Sequence, residues 1–276
     1  MDRAGPDAGA PGGRLTARFE ALVAGPEAAL ALDEAALLIA AHGRPDLDVA
    51  AQQRRLDALA GACGEPTVEG VRRHLFEVVG LRGDRRRYHD PRNSFLDAVL
   101  DRRQGIPISL AVVTVEVARR LGVALLPVAM PGHFLVGVPG EAGATGGYLD
   151  PFGGGRRLDR EGCQALYRAV FGAGARLADE MLAPVGPRAV LARMLANLRT
   201  SYLAAGDVRS LGWVHRLRAA IPAATEAELA DRARALAELA RFSEAAQVLD
   251  ELGERLAGPR GARARAAAAL VRARLN

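Results

Sequence analysis

Three residue types that together can perform acyl-transfer chemistry follow one another in the middle of this chain. Ser109 lies in Gly-Ile-Pro-Ile-Ser-Leu, His133 in Pro-Gly-His-Phe-Leu, and Asp150 in Tyr-Leu-Asp-Pro-Phe. An aspartate bonded to one imidazole nitrogen fixes the tautomer of the ring, which can then take the proton of a serine hydroxyl. The order predicts a catalytic triad in which Ser109 attacks, His133 is the general base and Asp150 orients it.

Each of these side chains also has a structural interpretation. Ser109 can bond the backbone at a helix N-terminus, His133 can be a structural histidine held by Asp150, and Asp150 can cap the turn before Pro151. A serine hydroxyl is hardly ionised near neutral pH, and a helix dipole cannot make it a substitute for a thiolate. Ser109 therefore needs direct deprotonation by His133, and without it the domain catalyses nothing.

Four further residues are candidates for lining the same cleft. Tyr88 and His89 belong to an arginine-rich loop that leads into the helix before the Ser109 segment, although a plain surface loop is the alternative. Asn93 can cap that short helix, and Pro107 suits the first turn of the helix that carries Ser109.

A buried helix and a β-hairpin must position these residues. Residues 108–117 are apolar nearly all round, which predicts a helix in the middle of its domain. Strand-like runs follow, and a Gly-rich loop separates 134–138 from 147–150. If these two runs pair as an antiparallel hairpin about the midpoint of that loop, His133 and Asp150 lie side by side at its open end.

Composition and periodicity predict an α+β, mostly helical fold. Residues 1–14, rich in Gly, Pro and Ala, are expected to be a disordered tail. Residues 15–183 contain helices and all of the β character, and residues 184–276 are helical. Turns at 203–207 and 239–243 are spaced like the helix pairs of tetratricopeptide (TPR) arrays. An ordinary helical bundle is the alternative.

The charge distribution and the two cysteines limit the kinds of partner and cofactor that we expect. The net charge is +5, and all 37 basic residues are arginine, scattered among 32 acids. Nucleic-acid binding is therefore not expected, although regulation through arginines stays a third alternative. Cys63 and Cys163 are far apart and form neither a disulfide framework nor a metal cluster. No apolar run reaches membrane-spanning length, so we expect no membrane association. We also expect a cytoplasmic protein. No metal or organic cofactor is expected.

Five motifs occur in a fixed order: Asn93-Ser-Phe-Leu through Gly-Ile-Pro-Ile-Ser-Leu, Val117-Ala-Arg-Arg-Leu-Gly, Pro131-Gly-His-Phe-Leu, Asp150-Pro-Phe-Gly-Gly and Arg193-Met-Leu-Ala-Asn-Leu-Arg. On these motifs the chain resembles the SirB-type bacterial proteins from about residue 15 to 256. The resemblance implies a transglutaminase-like, papain-like core with a TPR-like C-terminal region. It also implies a helix for the nucleophile and strands that carry the histidine and aspartate. Family members typically lack the catalytic cysteine, and this chain has none at that place.

The leading interpretation is a non-catalytic binding or regulatory module, a pseudoenzyme that interacts with a protein or peptide partner. The alternative is a serine-dependent amidase, peptidase or acyltransferase that uses the predicted triad. A Ser109 oxygen within about 3.5 Å of His133 favours the enzyme. A hydroxyl that is buried in the helix and turned away favours the module.

Overall fold

The computed structural model describes residues 11–140, 145–223 and 225–275. The chain divides into two compact units: a central unit, Ala31–Met194, and a second unit made of the residues up to Leu30 and from Leu195 onward. No helix in these described ranges is long and apolar enough to cross a membrane.

The first helix begins earlier than the sequence predicts. Of the expected tail, positions 1–10 lie outside the described residues, whereas residues 11–14 form the first turn of α1 (Pro11–Ala24). This helix buries Phe19 and Val23 completely, and Thr16 donates a hydrogen bond to the carbonyl of Gly12. The prediction of a tail through residue 14 was wrong because burial of the apolar face stabilises the preceding turn as well.

The central unit is mainly helical. Its helices are α2 (Leu32–Gly43), α3 (Val49–Gly61), α4 (Val68–Arg72), α5 (Leu96–Arg102), α6 (Pro107–Arg120) and α7 (Arg160–Phe171). Side chains cap the starts of α3 and α4: Asp48 accepts a hydrogen bond from the Ala51 N–H, and Thr67 accepts one from the Gly70 N–H. These caps satisfy amide groups that have no partner within the helix, and they confirm both predicted helix starts.

Two small sheets complete the central unit. Their strands are β1 (Arg82–Gly83), β2 (Gln104–Gly105), β3 (Leu126–Val128), β4 (Leu135–Pro139), β5 (Thr145–Asp150) and β6 (Arg156–Leu158). Strands β1 and β2 pair in parallel, and β3 to β6 form an antiparallel meander. In the β4–β5 hairpin Val136 faces Leu149, whereas the predicted register put Gly147 there. That register was wrong because the pairing shifts between Gly137 and Pro139, which the midpoint argument ignores.

Helix α6 lies at the centre of this unit. It packs against α2, α3, α4 and α5 and against strands β3 and β4. Every residue from Pro107 to Thr114 is buried, which confirms the predicted all-round apolar helix. Gly122 follows the helix in a left-handed conformation, with φ +70°, that favours glycine. Burial of this helix fixes the position of Ser109 in its first turn.

The other helices agree with the predicted ones to within a few residues. They are α8 (Pro187–Ala205), α9 (Val208–Ala220), α10 (Glu226–Glu238), α11 (Phe242–Arg255) and α12 (Gly258–Arg272). In the second unit α1 packs against α9, and α9 to α12 each pack against the next helix. The core there consists of small and branched apolar side chains, among them Leu229, Leu236 and Val248.

A glycine-rich loop after β5 rests on an irregular helical segment. Residues Arg73–Val78 continue α4 as a π-helix and bury Phe76. Gly155 has φ +74°, and a Cβ atom there would lie 2.2 Å from Cδ2 of Phe76. The neighbouring Gly154 has φ +76° with no atom within 4 Å of the same position. The ring of Phe76 therefore supports the chain as it leaves Asp150.

Replacing Gly155 with alanine is expected to lower the free energy of unfolding by about 2–4 kcal/mol. About 1 kcal/mol arises from the left-handed backbone and the rest from overpacking against Phe76. Gly154→Ala is the matched control, with an expected loss of only about 1 kcal/mol, because it has the backbone cost without the contact. Urea unfolding followed by circular dichroism measures both. Equal losses in the two variants would contradict this packing.

Candidate functional site

His133 is presented by a tight turn directly before β4. The backbone N–H of His133 donates to the carbonyl of Met130 at 3.0 Å, and Gly132 has φ +75°. A Cβ atom on Gly132 would lie 2.8 Å from Val170 and 3.0 Å from Phe171. Because only glycine fits both the backbone angle and the space, the turn holds His133 against the end of α7.

Asp150 ends β5 and holds the imidazole. The Nε2 atom of His133 lies 2.8 Å from Oδ1 of Asp150. The same carboxylate accepts a hydrogen bond from the Gly153 N–H at 3.0 Å, and Arg156 approaches it at 3.5 Å. Asp150 is 3% exposed, and the His133 side chain is 12% exposed. The structure thus brings together two of the three residues of the predicted triad.

The carboxylate of Asp150 determines which ring nitrogen of His133 donates to it. Burial by itself raises the pKa of Asp150, but the hydrogen bond and charge of His133, the Gly153 N–H and Arg156 together bring that pKa below its ordinary value. The ionised carboxylate can only accept, so Nε2 of His133 carries the proton. In the neutral ring Nδ1 is then an acceptor, and it bonds none of the residues that the structure describes.

Ser109 does not join this pair. Its side chain is fully buried, and its hydroxyl donates to the carbonyl of Asn93 at 2.6 Å. The same oxygen accepts a hydrogen bond from the backbone N–H of Ile106 at 3.1 Å and lies 3.1 Å from the Ile106 carbonyl. All bonds of the hydroxyl to described residues are therefore to backbone groups, those of Ile106 at the start of α6 and of Asn93 before α5, and none is to His133.

The two other buried candidates, Asn93 and Pro107, lie beneath the surface. Asn93 is 0% exposed, and its side-chain amide donates to the carbonyl of Arg87 at 2.6 Å. Pro107 forms the buried first residue of α6. The prediction that Asn93 caps α5 was wrong, because the N-cap residue is Phe95 and the Asn93 side chain is turned to the loop instead. Neither Asn93 nor Pro107 is exposed to line an open cleft.

Tyr88 and His89 lie at the exposed side of the pair, and Phe152 connects them to it. The centroid of the Phe152 ring is 6.1 Å from that of His133 and 5.9 Å from that of Tyr88, edge to face in both cases. Tyr88 in turn meets the ring of His89 at 5.4 Å. Burial raises the pKa of Tyr88, while nearby Arg193 acts in the opposite direction, so the phenol stays a neutral hydrogen-bonding group.

The sequence analysis missed Phe152 and Arg85 as site residues. The guanidinium carbon of Arg85 lies 5.2 Å from the centroid of the Phe152 ring. A Cβ atom on Gly83 would lie 2.4 Å from that ring, so only a glycine in β1 admits it. The available signal was the position of Phe152, two residues after Asp150 and inside the Asp-Pro-Phe motif. We call the set of Arg85, Tyr88, His133 and Phe152 the His133 face; Arg85 and Tyr88 are exposed, whereas His133 and Phe152 are partly buried.

Other features of the described residues do not extend the site. No cluster of three or more His, Cys, Asp or Glu side chains in the described ranges could hold a metal ion. A surface depression of about 730 Å³ lies along β5, β6 and the start of α7, lined by Tyr148, Arg157 and Arg160 among others. It contains none of the predicted site residues, and its walls are partly glycine backbone, so we place the functional site at the His133 face.

Comparison with known families decides the classification. The family described as the transglutaminase-like superfamily matches residues 39–196, more than half of the chain. The chain belongs to the transglutaminase-like superfamily. The matched range includes α6, the β4–β5 hairpin and the His133 face.

Curated relatives extend this classification. A UPF0162 protein of Xylella fastidiosa is 41% identical over 185 residues, which are 63% of this chain and 65% of that protein. A UPF0162 protein of Pseudomonas aeruginosa is 37% identical over 186 residues, or 64% of this chain and 67% of that protein. The match thus spans just under two thirds of the length of the Xylella relative.

A human protein is similar to part of this chain over a small part of its own length. F-box only protein 21 of Homo sapiens is 35% identical over 130 residues, which are 45% of this chain and 20% of that protein. No solved structure matches the chain.

Asp150→Asn is expected to lower the free energy of unfolding at neutral pH and to flatten its acid dependence. A carboxylate whose folded pKa lies below its ordinary value of 3.8 stabilises the fold above that value. That stability is lost as the pH falls through the folded pKa. The expected loss at pH 7 is about 1–3 kcal/mol, since the bond to His133 weakens. Urea unfolding between about pH 2 and pH 7 measures both effects.

Asp46→Asn is the matched control for this measurement. Asp46 is exposed and forms no ion pair with a described residue, so its variant is expected to reproduce the wild-type pH profile. An Asp150→Asn profile as steep as that of the control would contradict the role of Asp150 in the pair.

Ser109→Ala is expected to destabilise the protein by about 1–3 kcal/mol, because the buried Ile106 N–H and Asn93 carbonyl each lose a hydrogen-bond partner. Thr114→Val is the matched control on the same buried helix. The Thr114 hydroxyl donates only to the carbonyl of Leu110 one turn earlier, so its removal is expected to cost less than about 1 kcal/mol. Guanidinium unfolding compares the two, and equal losses would exclude a connecting role for Ser109.

Proposed function

We propose that this chain is a non-catalytic member of the transglutaminase-like superfamily, of SirB type, which binds a protein or peptide partner at the His133 face. The single observation that carries the proposal is the burial of Ser109 with its hydroxyl committed to backbone groups. A residue at the start of a buried helix can be a thiolate nucleophile, because the helix dipole lowers the pKa of a thiol. The hydroxyl at Ser109 has neither that acidity nor a bond to a base.

The His133–Asp150 pair has a use in binding that does not require a nucleophile. With the proton on Nε2, the ring presents Nδ1 as an oriented acceptor beside the aromatic side chains. An N–H group of a bound backbone or side-chain amide matches such an acceptor. We therefore assign His133 and Asp150 a role in ligand positioning.

The second unit has a helix arrangement that could form a second interaction surface. Helices α9 to α12 pack in sequence, as the helices of a repeat array do, and we propose that this unit is TPR-like. The resemblance to a segment that forms only 20% of F-box only protein 21 also supports a module that works together with other parts. Regulation through partner binding follows from both features.

The serine-dependent amidase, peptidase or acyltransferase is the competing function. It requires Ser109 to leave its backbone partners and approach Nδ1 of His133 to hydrogen-bond distance. A broad fluorophosphonate probe followed by peptide mass spectrometry distinguishes the two functions. We expect no adduct at Ser109 in the folded protein, with a known serine hydrolase as the positive control for the probe.

An adduct at Ser109 that is formed by the wild type and lost in His133→Ala would overturn the non-catalytic proposal. Turnover of an amide or ester that Ser109→Ala abolishes would do the same. His133→Ala is a suitable comparison because it removes the imidazole that the competing function requires as its base. It leaves the hydrogen bonds of the Ser109 hydroxyl in place, since none of them is to His133.

A further inference from the structure

Three consecutive arginines form the exposed tip of the loop between β1 and α5. We call Arg85, Arg86 and Arg87 the arginine triplet; all three side chains are exposed. No carboxylate in the described ranges lies within ion-pair distance of any of them. The triplet is therefore an uncompensated positive charge on the surface.

The acids of the same loop are already paired. Asp84 is buried, accepts the backbone N–H groups of the second and third arginines of the triplet, and binds the guanidinium of Arg102 at 2.9 Å. Asp90 binds the guanidinium of Arg92 at 2.7 Å. The acids thus fix the shape of the loop and leave the charges at its tip free for an external anion.

The triplet lies next to the His133 face. Its first member, Arg85, covers the ring of Phe152, which is itself in edge contact with His133. A positive group is therefore one aromatic side chain away from the free Nδ1 acceptor of His133.

An apolar edge flanks His133 on its other side. Val170 is 55% exposed and Phe171 is 51% exposed, although both are large apolar residues at the end of α7. They pack against Gly132, the residue before His133, and Phe171 stacks on Tyr167 with centroids 4.6 Å apart. Because Gly132 directly precedes His133 in the chain, this apolar edge lies beside the turn that carries the imidazole.

We propose that this surface binds an acidic peptide segment of a partner protein that carries an apolar side chain between its carboxylates. Carboxylates of the segment pair with the arginine triplet, the apolar side chain packs on Val170 and Phe171, and an amide N–H donates to Nδ1 of His133. This inference rests on the proposed binding function and names the chemistry of its ligand.

The same surface is a poor fit for nucleic acid. One face of Phe152 is covered by Arg85, its ring packs on Gly83, and Tyr88 and His133 meet it edge to face. No open ring face of Phe152 is left for stacking a base, which is the usual contact for a single strand. A phosphodiester backbone also offers no N–H donor to Nδ1 of His133. The geometry around Phe152 and the need for an N–H donor therefore favour a peptide.

The test is a fluorescence-anisotropy titration of the full chain with a fluorescein-labelled peptide of glutamates around one central leucine. The comparison peptide has glutamine in place of every glutamate, and an oligothymidylate of the same length tests nucleic acid. We expect the acidic peptide to bind more tightly than both other probes, with an affinity that falls as salt rises. Replacing the whole triplet with glutamine is expected to weaken binding about tenfold.

A control variant with the same change in net charge replaces Arg14, Arg209 and Arg263, three exposed arginines of the second unit, with glutamine. It is expected to keep the wild-type affinity at moderate salt. Phe171→Ser is expected to weaken binding about fivefold, whereas Val78→Ser, which changes a 70% exposed valine elsewhere in the central unit, is expected to leave it unchanged.

Equal affinity for the acidic and the glutamine peptide, or equal loss in the triplet and control variants, would overturn this inference. Tighter binding of the oligothymidylate would overturn it in favour of a nucleic-acid partner. If Ser109 also remains unmodified by the fluorophosphonate, the non-catalytic proposal survives that failure. If the acidic peptide binds but is cleaved in a Ser109-dependent way, the surface stands and the non-catalytic proposal fails.

Discussion

The buried hydroxyl of Ser109 connects the central helix to the loop that carries the exposed site residues. It bridges the carbonyl of Asn93 and the N–H of Ile106, two backbone groups that have no access to water. If the hydroxyl turned outward to attack a substrate, these groups would keep only their own 3.4 Å contact and lose the hydroxyl as a partner, at a cost of about 1–3 kcal/mol. The hydroxyl in the first turn of this buried helix is thus a structural connection.

The same part of the structure also positions the loop between β1 and α5, which carries the arginine triplet. The Asn93 side chain bonds the loop at Arg87, and Asp84 receives two loop N–H groups together with the guanidinium of Arg102. Burial raises the pKa of Asp84, but these hydrogen bonds and the charge of Arg102 bring it below the ordinary value, so the carboxylate is a fixed acceptor. The network of Asn93, Asp84 and Arg102 therefore also positions Arg85 against Phe152.

Local sequence signals predicted the elements better than their contacts. The composition of residues 108–117 predicted that α6 is buried, and Asp48 and Thr67 predicted the starts of α3 and α4. These predictions succeeded because they use only residues that are close together in the sequence. The sequence predicted that His133 and Asp150 lie close together, although the predicted hairpin register was two residues off. The bond between them forms because His133 lies in a turn before β4 and not in the paired strand. The role of Phe152 could not be predicted, since it depends on Gly83, far away in the sequence.

The retained His133–Asp150 pair is consistent with binding once its charges are considered. A lone buried carboxylate is unfavourable, and Asp150 is stabilised only because the imidazole, the Gly153 N–H and Arg156 surround it. The arrangement that prepares Nδ1 to take a proton from a nucleophile prepares it equally well to accept a hydrogen bond from an amide. A peptide offers amide donors and carboxylates at the spacing of adjacent residues. It can therefore engage the imidazole and the neighbouring arginines together, which an isolated anion cannot do.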